Sequence, residues 1–143
     1  MCLYLTNIRK TRIAKEDIIC YKILIKERKR WISRIFHKPT YRAPFYINHT
    51  YRLKELNDLG RSLTVDISTI NAYPAVVYEG YHSFVDIQDA KRILKDWYET
   101  PGGQTIVQCV IPKGAEYAKG TIDKSSTSPA SYVSNQIICV KEV

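Results

Sequence analysis

No uncharged apolar stretch in this sequence reaches the ~18–20 residues that a membrane-spanning helix needs. The first fifteen residues carry Arg9, Lys10, Arg12 and Lys15 without an apolar core, so no secretory signal is expected. Cysteine is sparse. Cys2, Cys20, Cys109 and Cys139 form no CxxC pair, and none stands with a histidine at zinc-ligand spacing, which excludes zinc fingers and redox CxxC motifs. Cys20, Cys109 and Cys139 each lie inside an apolar run, where a free thiol behaves as a small hydrophobe. Reduced thiols in a cytoplasmic protein are expected. Histidine is equally scarce: His37, His49 and His82 are far apart, without an acidic partner at ligand spacing, so no metal site is expected. A two-histidine phosphodiesterase would need His-x-Thr/Ser twice, and neither His49-Thr50-Tyr51 nor His82-Ser83-Phe84 supplies it. A glycine-rich phosphate loop, a nucleophile elbow and a paired-carboxylate motif are also missing, so no cofactor and no catalytic residue are assigned.

Acidic residues are short in one part of the chain only. Residues 1–42 hold twelve Lys/Arg against three Asp/Glu, whereas residues 43–143 hold ten against eleven. The net charge of +8 therefore belongs to the N-terminal third, densest at Lys26-Glu27-Arg28-Lys29-Arg30 and continued by Arg34, Lys38 and Arg42. Such a surface attracts phosphates or acidic partners at long range, the plain alternative being a solvated, solubilising face. The 143 residues, 45% hydrophobic and 25% charged, suit a single globular domain over 1–143. Tyrosine is abundant, 11 against 3 Phe. Its apolar ring and polar tip suit ligand clefts as well as half-exposed strands.

Residues 18–26 (IICYKILIK) read as a central strand, and Trp31–Phe36 as a second strand returning as a hairpin across a charged turn. Residues 51–56, 63–67 and 75–78 are shorter strand candidates, separated by Asn57-Asp58 with Gly60 and by Asn71 with Pro74. Ile87, Ala90, Ile93, Leu94 and Trp97 recur at helical spacing and predict a helix over 87–98, capped by Asp86 and stopped by Pro101-Gly102-Gly103. Asp89 stands in a capping-box position. Residues 105–111 and 135–141 predict the last two strands, with a turn at Pro112-Lys113-Gly114 and a Ser-rich loop over 125–131. A weak early helix is expected around 14–17. The whole argues an α+β fold, a mainly antiparallel sheet of five or more strands with one principal helix at about residues 87–98.

Two segments carry the pattern of a binding site. Gly80-Tyr81-His82-Ser83-Phe84 lies between a strand and the capped helix, a junction that presents side chains and helix amides to an anion. Tyr41-Arg42-Ala43-Pro44-Phe45-Tyr46 mixes aromatic faces with a guanidinium, the combination that stacks on a base and pairs with phosphate. Ser126-Thr127-Ser128 is similar to the serine–threonine–serine motif of arginine-serine-glutamate ADP-ribosyltransferases, which also need a glutamate pair, whereas Glu116 stands alone.

Cys20-Tyr21-Lys22, Ala43-Pro44-Phe45-Tyr46, Gly80-Tyr81-His82-Ser83-Phe84 with Ala90, Ile111-Pro112-Lys113-Gly114-Ala115 with Tyr117 and Gly120, and Ser131-Tyr132-Val133-Ser134 follow in that order. The series resembles a group of small proteins of bacteriophages, prophages and gut bacteria. The resemblance implies a compact, β-rich fold. Some small phage proteins of this size sequester nucleotide immune signals, and by analogy a counter-defence role is expected here.

The leading expectation is non-enzymatic binding of an anionic, nucleotide-like small molecule. Arg42, His82, Ser83 and Lys113 would contact phosphate or carboxylate, and Tyr41, Tyr81 and Tyr132 would pack on the ligand. The rival is an enzyme, ADP-ribosyl transfer or phosphodiester cleavage, with His82 and Glu116 as acid–base groups. A third reading is nucleic-acid or acidic-protein binding through the basic N-terminal third, although no nucleic-acid motif accompanies it. No membrane partner is expected, and a homo-oligomer is compatible with the sequence.

Overall fold

The computed structural model describes residues 3–5, 11–27, 30–32, 62–64, 67–70, 76–97, 104–121 and 128–143. In chain order the strands are β1 (Leu3–Leu5), β2 (Arg12–Ile13), β3 (Ile18–Glu27), β4 (Arg30–Ile32), β5 (Ser62–Thr64) and β6 (Ser68–Ile70). They continue as β7 (Val76–Glu79), β8 (Tyr81–Phe84), β9 (Gln104–Ile111), β10 (Glu116–Thr121), β11 (Ala130–Ser134) and β12 (Gln136–Glu142), with helix α1 (Ile87–Trp97) between β8 and β9. Every described pairing is antiparallel, and the strands join one sheet in the order β5-β12-β9-β3-β8-β11-β10-β1-β7-β6, with β2 against β10 and β4 against β3. The fold is α+β and mostly sheet.

The expected central strand is the spine of this sheet. β3 pairs with β9 from Ile18↔Ile111 to Ile25↔Gln104, and β4 returns beside it with Lys26↔Trp31 and Glu27↔Arg30. The hairpin is as the sequence predicts; its predicted continuation over 33–36 lies outside the described residues, as do the strand candidate at 51–56 and the loop residues 125–127. The candidate at 63–67 is divided differently, its first residues falling in β5, with β6 starting beyond it. β8, β10 and β11 were not foreseen. Tyr81–Phe84, expected as a strand-to-helix junction, is itself a strand, and Ala130-Ser131, expected in a loop, begins another. The weak helix around 14–17 is absent: Ala14 N–H donates to Ala115 O, Gly114 N–H to Ala14 O and Lys113 N–H to Asp17 Oδ1, each at 2.8 Å. These bonds use the 14–17 backbone and carboxylate to dock the turn after β9, so the segment is an irregular clasp.

β7 and β8 are joined by Gly80 alone yet stand four places apart along the sheet. In a flat sheet that separation would be roughly 19 Å, at ~4.8 Å per strand. One residue spans only ~3.5 Å. The sheet must therefore curl back on itself, with 76–84 as a bent strand serving both limbs. Gly80 makes the bend at φ +134°, and a Cβ there would overlap Val133 Cγ2. Curling creates an inner wall. Cys20, Leu24, Tyr81, Val107, Cys109, Ile111, Ala115, Ile137 and Cys139 pack into one buried cluster with Ile18, Tyr117 and Tyr132 at its margin.

The opposite face of β3, β8 and β9 is covered by α1. Phe84, Ala90, Ile93 and Ile106 form a second cluster, bordered by Tyr21, Ile23, Ile87 and Leu94. The helix forms there because its apolar residues recur every three to four positions, and burying side chains such as Ile93 stabilises by roughly 1.5–3 kcal/mol each. Asp86 caps it, accepting from Gln88 N–H at 2.6 Å. Asp89 does not reach back as a capping box; its carboxylate accepts from Arg92 at 3.0 Å in an exposed i,i+3 pair of little energetic weight. Asp86→Ala is expected to cost about 1 kcal/mol, read as a lower urea midpoint, whereas Asp89→Ala should leave it nearly unchanged.

Candidate functional site

Strand alternation decides which of the expected binding residues meet. Register pairs Tyr81 with Ser134 and Ser83 with Tyr132, so these four share one face. His82 pairs with Val133 and Phe84 with Ser131, and these point to the other face. Because Phe84 opposes Tyr21 under the helix, the first set belongs to the inner wall. His82 is thus 5% exposed in a packed strand rather than at a surface turn, and is separated from Tyr81 and Ser83 by the thickness of the sheet. The physical reason is that four residues able to pair on both edges become strand, whatever junction follows them.

Lys113 is exposed at the turn after β9, outside the inner-wall group. Tyr41 and Arg42 lie outside the described residues. Glu116, half-buried at the start of β10, has its N–H bonded to Asn135 Oδ1 at 2.9 Å. β11 separates its strand from that of His82. Of the expected ligand contacts, the structure therefore brings together Tyr81, Ser83 and Tyr132.

What joins them was not singled out in the sequence. Cys20 and Lys22 stand two apart on β3 and so face the same way; Cys20 is in register with Cys109, and Cys109 with Cys139. Three thiols thus form a row across β3, β9 and β12 on the inner wall. Lys22 is only 5% exposed, and its Nζ donates to the His82 carbonyl oxygen. Among the described residues no carboxylate pairs with it; the anion-forming groups that act on it are the thiols of Cys109, Cys139 and Cys20. Burial pushes the Lys22 pKa down from its usual value, the three thiols partly opposing that shift.

The thiols differ among themselves. Burial pushes the Cys20 thiol up to about 11, against the smaller lowering effects of the Ser83 hydroxyl and Lys22. Cys109 Sγ donates to Cys139 Sγ at 3.3 Å. That bond, then burial, raises Cys109, while the same bond, then Lys22, holds Cys139 down. Ser83 Oγ is buried and, among the described residues, has no hydrogen-bond partner apart from this contact with the Cys20 thiol. Tyr117 and Tyr132 meet edge to face at 5.8 Å between ring centroids, and burial raises the phenols of Tyr81 and Tyr132.

Among the described residues the inner wall therefore brings together the buried Lys22, the Ser83 hydroxyl, three thiols and the rings of Tyr81 and Tyr132. Among the described residues no group of His, Cys, Asp and Glu is arranged to hold a metal ion, and no helix is long and apolar enough to cross a membrane. No protein-family model, curated protein or solved structure matches the chain.

Proposed function

We propose that the chain binds and sequesters an anionic, nucleotide-like ligand without altering it, on the inner wall, with Lys22 in the electrostatic role expected of His82. The observation that carries this reading is a lysine buried without a carboxylate partner among the described residues. Burying an ammonium costs several kcal/mol unless an opposite charge accompanies it. An arriving phosphate or carboxylate supplies that charge. Tyr132 and Tyr81 offer the rings against which a base packs, at roughly 1–3 kcal/mol per stacked base. By analogy with the phage proteins it resembles, such capture would withdraw a nucleotide signal from a host defence pathway.

Titration calorimetry against cyclic dinucleotides, cyclic ADP-ribose isomers and linear nucleotides tests the proposal. Because a bound anion restores the proton affinity that burial takes from Lys22, binding should take up protons, so the measured heat should change with the ionisation enthalpy of the buffer. Tyr132→Ala should weaken binding at least tenfold. No heat with any of these compounds would defeat the reading. Ligand recovered with a changed mass would defeat the non-enzymatic part and favour the catalytic rival.

A further inference from the structure

Cys109 and Cys139 face one another directly across β9 and β12, and the proposed ligand site makes no use of the pair. We propose that they constitute a redox-active dithiol, a site of reversible disulfide formation whose oxidant is a hydroperoxide. The geometry is already close to that of the product. Directly opposed residues of antiparallel strands have Cα atoms ~4.5–5.5 Å apart, within the ~4.4–6.8 Å that a disulfide spans. The sulfurs are 3.3 Å apart, so rotation about the two Cα–Cβ bonds closes the bond without shifting the ladder.

The pair is also divided into unlike partners. Cys109 is the hydrogen-bond donor and Cys139 the acceptor. The donor keeps its proton, and when local opening admits solvent Cys139 is the sulfur free to lose its own. In the first step the Cys139 thiolate attacks the nearer peroxide oxygen. The O–O bond breaks, a sulfenic acid forms on Cys139, and hydroxide or alkoxide leaves and is protonated. Cys109 sulfur then attacks the Cys139 sulfur as the S–O bond breaks, and the departing hydroxide takes the Cys109 proton and leaves as water. Two electrons pass from the two thiols to one peroxide.

Cys20 is the competitor, since it opposes Cys109 from β3 in the same register. Its thiol is engaged with Ser83 and held protonated by burial, which leaves Cys109 to Cys139. The β9–β12 ladder is the more yielding of the two. It shifts register between Cys139 and Lys141, whereas β3 and β9 pair without interruption, and beyond β12, among the described residues, stands only the three-residue β5. Cys109 is 0% and Cys139 1% exposed, so oxidation waits on local opening there and should be slow in the closed protein.

The test uses the unmodified chain. Trypsin leaves the three thiols on separate peptides, 16–22, 96–113 and 125–141. After exposure to hydrogen peroxide, denaturation and alkylation, mass spectrometry should show two fewer alkylated thiols and a cross-link joining 96–113 to 125–141. Dithiothreitol should reverse it, and Cys20→Ser should retain it. Full alkylation of both cysteines after peroxide, or a cross-link of either one to Cys20 or Cys2 instead, would overturn the proposal.

Discussion

Lys22→Met is expected to raise the thermal midpoint of the free protein while abolishing the proposed anion binding. Methionine occupies a similar volume without charge, and replacing buried charge by apolar residues of like size is commonly neutral or stabilising by up to ~4 kcal/mol. At this chain length each kcal/mol is worth roughly 2–4 °C. The gain should also depend on pH. The folded-state pKa of Lys22 lies below its unfolded value, so between those two values the unfolded chain binds more protons and stability rises with pH. Below that window the folded protein carries the full disadvantage of the buried charge, and there the variant should exceed the parent most. Toward pH ~10.4, where lysine deprotonates in the unfolded chain as well, the two curves should converge. Raised Cys20 acts in the opposite sense at alkaline pH, and because Lys22 itself lowers the three thiols, the difference between the melting curves reports Lys22 together with its coupling to them. A variant that melts earlier than the parent and still binds nucleotide would refute the assignment. A residue that weakens the fold and serves only the bound state is what a trade of stability for activity predicts.

Gly80→Ala is expected to be the most damaging small substitution in the described fold. The residue sits at φ +134°, where a side chain is strained by roughly 1–3 kcal/mol. Its new methyl would meet Val133 Cγ2, a branched core side chain that cannot swing aside, adding overpacking of roughly 1–3 kcal/mol. Together these approach the whole stability of a marginal domain. Urea denaturation should show the loss, and the Gly80→Ala, Val133→Ala double variant should be less unstable than the sum of its parts, because the second change removes the collision but not the strain. A Gly80→Ala protein within about 0.5 kcal/mol of the parent would mean that the bend is made differently, a change of the size ordinary surface substitutions produce.

These two residues also mark where the sequence could and could not be read. The α1 stripe, the β3–β4 hairpin and the β9 and β12 strands were legible because periodicity is a local signal and their flanking turns are strong. β8, β10 and β11 were not. Each is four to six residues long and mixes polar with apolar residues without regular alternation, so neither a period of two, a long apolar run nor a helical stripe announces it, and the pairing that makes it a strand comes from residues distant in the chain. The placement of His82 has the same cause: at a strand-to-helix junction side chains could converge, whereas a strand sends alternate ones apart. Lys22 was visible in principle, as the one charge in the middle of IICYKILIK, an anomaly for a strand enclosed on both faces. The row of thiols was not, because it depends on the register of three strands from separate parts of the chain.

The bend at Gly80 has a mechanical consequence. The polypeptide from Val76 to Phe84 is hydrogen-bonded to β1 and β6 in its first half and to β11 and β3 in its second, so it is a tether common to both limbs of the curl. Were the proposed ligand to enter between β8 and β11, their separation would pull directly on β7. The amide protons of both segments should therefore exchange with solvent in a single concerted event and slow down together once the site is filled.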